Sequence, residues 1–196
     1  MIDWLIEKTD SYPWVVVLRN WVFQAILYVE KTERIFKIAF EIALFTPLYI
    51  VLSKNTKLNR VETILMSSFV SHSINWLFNG DVHVLRKCVG EGPQNPVEKK
   101  IDYLDGFVQR AKKEESIAAV GIVGSYVRNE MTPHSDIDVR IVRNSGLTNA
   151  VKSSMFLLRE RTKALFKNYA LDCYLYDDFS NFEKDDDDHM MLYSEE

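Results

Sequence analysis

Two aspartates one residue apart at the head of an apolar run, Asp136 and Asp138 in "SDIDVRIV", constrain this chain more than any other feature. Successive side chains of a strand point to opposite faces. Asp136, Asp138 and Arg140 therefore share one face, and Ile137, Val139 and Ile141 share the other. A carboxylate set into such a strand is costly unless a cation or a hydrogen-bond donor meets it. The segment has to sit in a sheet with its apolar face covered and its acidic face open to a charged ligand.

The surrounding elements fit that demand. "PVEKKIDYLDGFVQRAKKEES" carries Val97, Ile101, Leu104, Phe107 and Val108 on a helical stripe with a charged outer face. "IAAVGIVGS" is a short buried strand ending in glycine, and "NAVKSSMFLLRERTKALFKN" is a second helix. "YALDCYLYD" is a third strand that sets Asp172 and Tyr174 opposite Leu171, Cys173 and Leu175. The plan is α+β, a small sheet with helices on one face, preceded by an all-α apolar region. The expected divisions are 1–89 helical, 90–96 linker, 97–182 sheet domain and 183–196 acidic tail. The linker rests on Gly90, Gly92, Pro93 and Pro96, and the tail on Asp185 to Asp188.

If the second and third strands pair in register, Asp136, Asp138 and Asp172 meet on the open face. Carboxylates so close raise one another's pKa unless a divalent cation lies among them. An oxygen-only donor set suits Mg²⁺, which keeps waters and takes phosphate oxygens. Gly124 lets the backbone leave its strand sharply. The N–H groups that follow and the Ser125 hydroxyl can then hold phosphate oxygens, especially if they open a helix. Alternatives for these residues are a capped turn, a plain loop and an Asp172–Arg140 ion pair.

"GSYVRNEMTPHSDIDV", with a later strand Asp, resembles the DNA polymerase β-type nucleotidyltransferase superfamily, and its minimal nucleotidyltransferases in particular. The resemblance covers about 97–180 and implies a nucleotidyltransferase domain with a two-metal mechanism. Asp136 and Asp138 would bind two Mg²⁺ ions, and Asp172 would bind the catalytic ion and help deprotonate a hydroxyl acceptor. Gly124 and Ser125 would hold the phosphates of ATP or another NTP. Ser135 belongs to the same motif, and Arg128 and Arg140 would neutralise triphosphate charge. The family commonly has glycine where this chain has Asn129, which also tolerates left-handed backbone. The implied acceptor is a protein, an RNA end or a small molecule. A different implied role is an antitoxin-like or catalytically silent interaction module.

The formal charge of -4 makes RNA the least attractive of those acceptors. Cys88 and Cys173 lack metal-type spacing and are expected as reduced thiols. His72 and His83 have no partner at ligand spacing, and His134, beside the site, reads as a loop residue rather than a general base. No signal peptide is legible, so the expected location is the cytoplasm, either free or at the cytoplasmic face of the membrane.

In the first half, "WVVVLRNWVFQAILYVE" reads as one helix with Val15, Leu18, Val22, Ile26 and Val29 near one face. The window 34–53, "RIFKIAFEIALFTPLYIVLS", approaches the ~20 apolar residues that span a bilayer. Lys37 and Glu41 lie within it, and Pro47 predicts a kink or a bend. Basic residues Lys31, Arg34, Lys54, Lys57 and Arg60 flank it. A third helix from Arg60 carries Ile64, Leu65, Phe69, Ile74, Leu77 and Phe78, with Asn79-Gly80 as its end. Residues 14–85 thus offer a soluble bundle, a docking surface for a protein partner, or a membrane surface contact.

Overall fold

The computed structural model describes residues 12–194 except 25, 81, 89, 91 and 186–188. Four helices come first: α1 (Pro13–Phe23), α2 (Lys31–Asn55), α3 (Arg60–Asn79) and α4 (His83–Cys88). The second half runs α5 (Val97–Ala111), β1 (Ile117–Val123), β2 (Ile137–Arg143), α6 (Leu147–Lys167), β3 (Leu171–Tyr176), α7 (Phe179–Asp185) and β4 (His189–Ser194). This is the expected α+β class, with the helical region preceding a mixed sheet.

The sheet order is β3-β2-β1-β4. β2 is antiparallel to β1 and parallel to β3, and β4 is antiparallel to β1. Tyr103, Leu104 and Phe107 of α5 and Phe156, Leu157 and Ala164 of α6 cover the face built by Ile137, Val139, Ile141, Leu171, Cys173 and Leu175. At the far end of the opposite face, Phe182 of α7 packs with Ala119, Val142 and Tyr176. Gly121 leaves room for it, since a Cβ there would lie 2.7 Å from Phe182 Cζ.

Several expectations need correction. Ile101 is exposed and Lys100 takes its place on the inner side of α5. The segment 189–194, expected within an acidic tail, pairs as β4; residues 186–188 lie outside the described set. The first helix stops at Phe23, because Gln24 adopts φ +46 and caps it, donating its N–H to Asn20 O. Pro47 lies inside α2 without ending it, and the chain turns at 56–59 instead. Pro47 and Ala43, one turn earlier, are both exposed, so the carbonyl the proline leaves unbonded lies on a surface-facing side of the helix. α3 begins in a reciprocal cap, Asn59 accepting from Glu62 N while Glu62 accepts from Asn59 N, and ends at Gly80 as expected.

The two halves join at the outer edge of β3. Glu33 of α2 accepts the Leu175 N–H at 3.0 Å, and Arg161 of α6 donates to the Cys173 carbonyl. Arg161 also bonds Glu33 at 2.8 Å and the Asn79 carbonyl at 3.1 Å. Asp177, just after β3, accepts from the Thr32 N–H at 3.2 Å and from Arg143 at 2.7 Å. Cys173 is buried and free, and Cys88 is half-buried and free.

Candidate active site

β2 and β3 pair in the register that brings the carboxylates together: Asp138 stands beside Asp172, and Ile137 beside Leu171. Adjacent strands lie about 4.8 Å apart, so two side chains at one register position on one face are neighbours. Asp136 immediately precedes β2, anchored by the Ile137 N–H donating to Ala170 O at 2.8 Å. All three aspartates stand at the starts of their strands, at the opposite end of the face from Phe182.

Gly124 ends β1 at φ +73, and a Cβ there would lie 2.6 Å from Asp138 Oδ2. The close approach therefore demands glycine twice, for its backbone and for its missing side chain. The chain then runs through turns rather than a helix: Arg128 N–H donates to Gly124 O at 3.3 Å and Glu130 N–H to Ser125 O at 2.8 Å. Asn129 occupies the left-handed region at φ +55, as its tolerance for that conformation allows. Tyr126 and Val127 pack against the core and hold the loop in place.

The remaining residues divide. Arg140 is beside Asp172, its Nη1 3.7 Å from Oδ2, with the guanidinium 4.7 Å above the Tyr174 ring. Arg128 pairs with Glu130 at 3.1 Å on the surface. The Ser135 hydroxyl accepts from the Thr132 N–H at 3.0 Å, which gives it a turn to hold. His134 is an exposed loop residue, while His72 sits in the helical region between Glu41 and the Trp21 carbonyl.

Lys100 escaped the sequence reading. Its side chain enters from α5 and donates to the carbonyls of Thr132 at 2.8 Å, Pro133 at 3.0 Å and Ser135. It thereby fixes the loop that delivers Asp136. Desolvation lowers its pKa, with Asp136 pulling the other way. A lysine in a charged helix gives no sign of this, because the three carbonyls belong to a loop more than thirty residues on. Also unforeseen is a cavity of about 420 Å³ beside Arg140, walled by Tyr28, Glu30, Tyr174, Tyr176 and Asn181. Its Tyr28 wall comes from the first half of the chain, so local periodicity could not reveal it.

Burial of Asp172 pushes its carboxyl above the usual carboxylate range, opposed by Arg140 and Arg161 and reinforced by Asp136. A carboxylate of raised proton affinity can take a proton from a hydroxyl. Among the described residues no three acidic, histidine or cysteine side chains already converge as a cation cage. The donor set is nevertheless all oxygen, and Asp138 and Asp172 share a register position on the open face, which fits a hard divalent cation.

No curated protein matches the chain. Residues 104–189 match the family model described as a nucleotidyltransferase domain, which takes in α5 from Leu104, every aspartate above and the chain as far as the start of β4. The sheet-bearing part of this chain is therefore similar to the nucleotidyltransferase domain family, whose general chemistry is nucleotidyl transfer.

Proposed function

We propose that the domain transfers a nucleoside monophosphate, AMP in the first instance, from an Mg²⁺-bound NTP to a hydroxyl acceptor and releases pyrophosphate. The observation that carries this is the in-register pairing of Asp138 with Asp172 on the open face, with the Gly124 backbone against Asp138. Asp136, Asp138 and Asp172 would hold two Mg²⁺ ions. Bound there, the ions would neutralise the triphosphate and stabilise the attacking and leaving oxygens.

The chain's own groups do the rest. The N–H groups after Gly124 and the Ser125 hydroxyl hold phosphate oxygens, and Arg140 supplies positive charge from the same face. Asp172 accepts the acceptor's proton as its oxygen bonds to the α-phosphorus and the bond to pyrophosphate breaks. The tyrosine-walled cavity beside Arg140 receives the acceptor, a protein side chain or small molecule rather than RNA in view of the -4 charge.

A second reading has one observation in its favour. The Arg140–Asp172 contact at 3.7 Å engages the third carboxylate, as in a silent, antitoxin-like module that binds a partner without turnover. Incubation with α-labelled ATP and Mg²⁺ separates the two. Wild type should place label on itself, on a co-purifying protein or on a small molecule, while Asp136→Ala/Asp138→Ala should place none. Equal labelling by the double variant would remove the catalytic assignment.

A further inference from the structure

The α2–α3 hairpin is built with its polarity inverted. The buried residues of α3 are Thr63, Ser67, Ser71, Asn75 and Asn79, all polar and spaced four apart, and those of α2 are Glu33 and Lys37. Thr63, Ser67 and Ser71 donate to backbone carbonyls three or four residues earlier, and the others bond within the hairpin or at its base. Lys37 pairs with Glu33 at 3.1 Å and donates to Gln24 O at 2.8 Å. Asn75 bonds the Lys37 carbonyl at 3.2 Å and Glu41 at 3.1 Å, and His72 meets Glu41 at 3.0 Å. Apolar residues of α3 are turned outward, with Leu65 64% and Phe69 58% exposed.

That exterior is apolar around the hairpin: Ile38, Ile42, Val51, Leu65, Met66 and Phe69 are all exposed. From residue 38 to 53 the sole charged side chain is Glu41, and from 63 to 80 there is no Asp, Glu, Lys or Arg. A protein partner would cover one side of a patch bordered by charge. An apolar sheath around an internally satisfied polar seam is what lipid demands, because the seam then supplies the helix–helix contact.

Length and end charges agree. α2 has 25 residues and is long and apolar enough to cross a membrane. Beyond Lys37, which is buried at the base, residues 38–55 rise about 27 Å at 1.5 Å per residue, close to a hydrocarbon layer of about 30 Å. Lys54, Lys57 and Arg60 gather at the hairpin tip, where they need headgroups rather than acyl chains. The bonds to the sheet domain come from the opposite end, through Thr32, Glu33 and Asn79. α1 lies along the base half, Trp21 edge-on to His72, with Trp14 and Leu18 exposed where an interfacial belt would lie.

We propose that the α2–α3 hairpin inserts tip-first into a lipid bilayer and crosses its hydrocarbon layer, holding the sheet domain at the face from which it entered. On the NTP-dependent reading proposed above, that face is the cytoplasmic one. Insertion rests on the exposed apolar faces of the hairpin and needs no catalytic step.

The full chain is mixed with vesicles of phosphatidylcholine and phosphatidylglycerol and separated by flotation. It should float and should stay with the vesicles in alkaline carbonate. In a Cys88→Ser background, a fluorophore on Ile42→Cys should be quenched by lipids carrying a spin label deep in the acyl chain, and one on Lys57→Cys should not. Ile42→Lys/Leu65→Lys changes exposed positions, so its circular dichroism should match wild type in detergent while flotation falls at least tenfold. Protein that remains aqueous, that carbonate strips, or whose Ile42→Cys probe is unquenched overturns the proposal. So does a concentration-dependent dimer that covers these positions without binding vesicles.

Discussion

Gly124→Ala tests whether the β1 bend exists to let the backbone reach Asp138. The structure supplies two separable costs. At φ +73 an alanine pays roughly 1–2 kcal/mol for left-handed backbone. Its Cβ would also stand 2.6 Å from Asp138 Oδ2, whereas carbon–oxygen contacts begin near ~3.3 Å, so the carboxylate or the loop must retreat by about 0.7 Å. Misplacing a reacting group by ~1 Å costs on the order of a hundredfold in rate, so a loss of about 10- to 100-fold is expected. Gly146→Ala is the control, because Gly146 has φ +98 with nothing within 4 Å of an added Cβ. Both variants should lose stability, Gly124→Ala by about 2–8 °C in melting temperature and Gly146→Ala by at least as much, since its φ +98, ψ +153 is a conformation kept for glycine. Only Gly124→Ala should lose nucleotidyl transfer beyond that, measured as pyrophosphate release at saturating NTP. If the two variants turn over alike at near wild-type rate, the proximity of Gly124 to Asp138 has no catalytic meaning.

Three further outcomes are expected. Lys100→Met should cost about 1–3 kcal/mol by stranding the carbonyls of Thr132, Pro133 and Ser135, and should weaken transfer by loosening the loop before Asp136; urea unfolding and turnover together check it. Arg110→Ala removes both bonds to Glu160, at 2.7 and 2.6 Å, and leaves a carboxylate only 3% exposed without its cation. Because Arg110 is itself about a third exposed, the loss should be about 2–3 kcal/mol, below the ~3–5 kcal/mol of a fully buried pair, read by denaturant titration. Burial alone would raise the Asp177 carboxyl, yet hydrogen bonds from Thr32 and Arg143 outweigh it and hold the pKa below the ordinary value. The unfolded state then binds the extra proton, so this contribution is complete above about pH 4 and disappears as pH falls through the lowered folded value. Asp177→Asn should flatten that part of the acid-unfolding curve, and an unchanged curve would contradict the assignment.

The sequence carried the acidic face well, because a period of two leaves no choice of side for Asp136, Asp138 and Asp172 once the strands exist. It also marked Gly124 and Asn129 as special, though the reason Gly124 must lack a side chain is Asp138, fourteen residues on. On α3 the apolar spacing left bundle, docking surface and membrane contact open, while the polar stripe beginning at Thr63 faces the inside of the hairpin. Periodicity finds stripes but does not say whether the medium outside is water or lipid. β4 was hidden by the acids before it, and it exists only because β1 offers an edge. Lys100 and the Tyr28 wall depend on chain segments far away, which single-window patterns cannot join.

The edge of β3 has a consequence for how this protein keeps company with itself. Outermost strands invite templated addition of another chain. Here the outward N–H of Leu175 and carbonyl of Cys173 are occupied by Glu33 and Arg161. A newcomer on that flank would have to evict a buried ion pair and pry the helical hairpin from its footing. Growth of the sheet by recruitment is therefore directed to the β4 flank, and sticky behaviour of this domain should trace to residues 189–194.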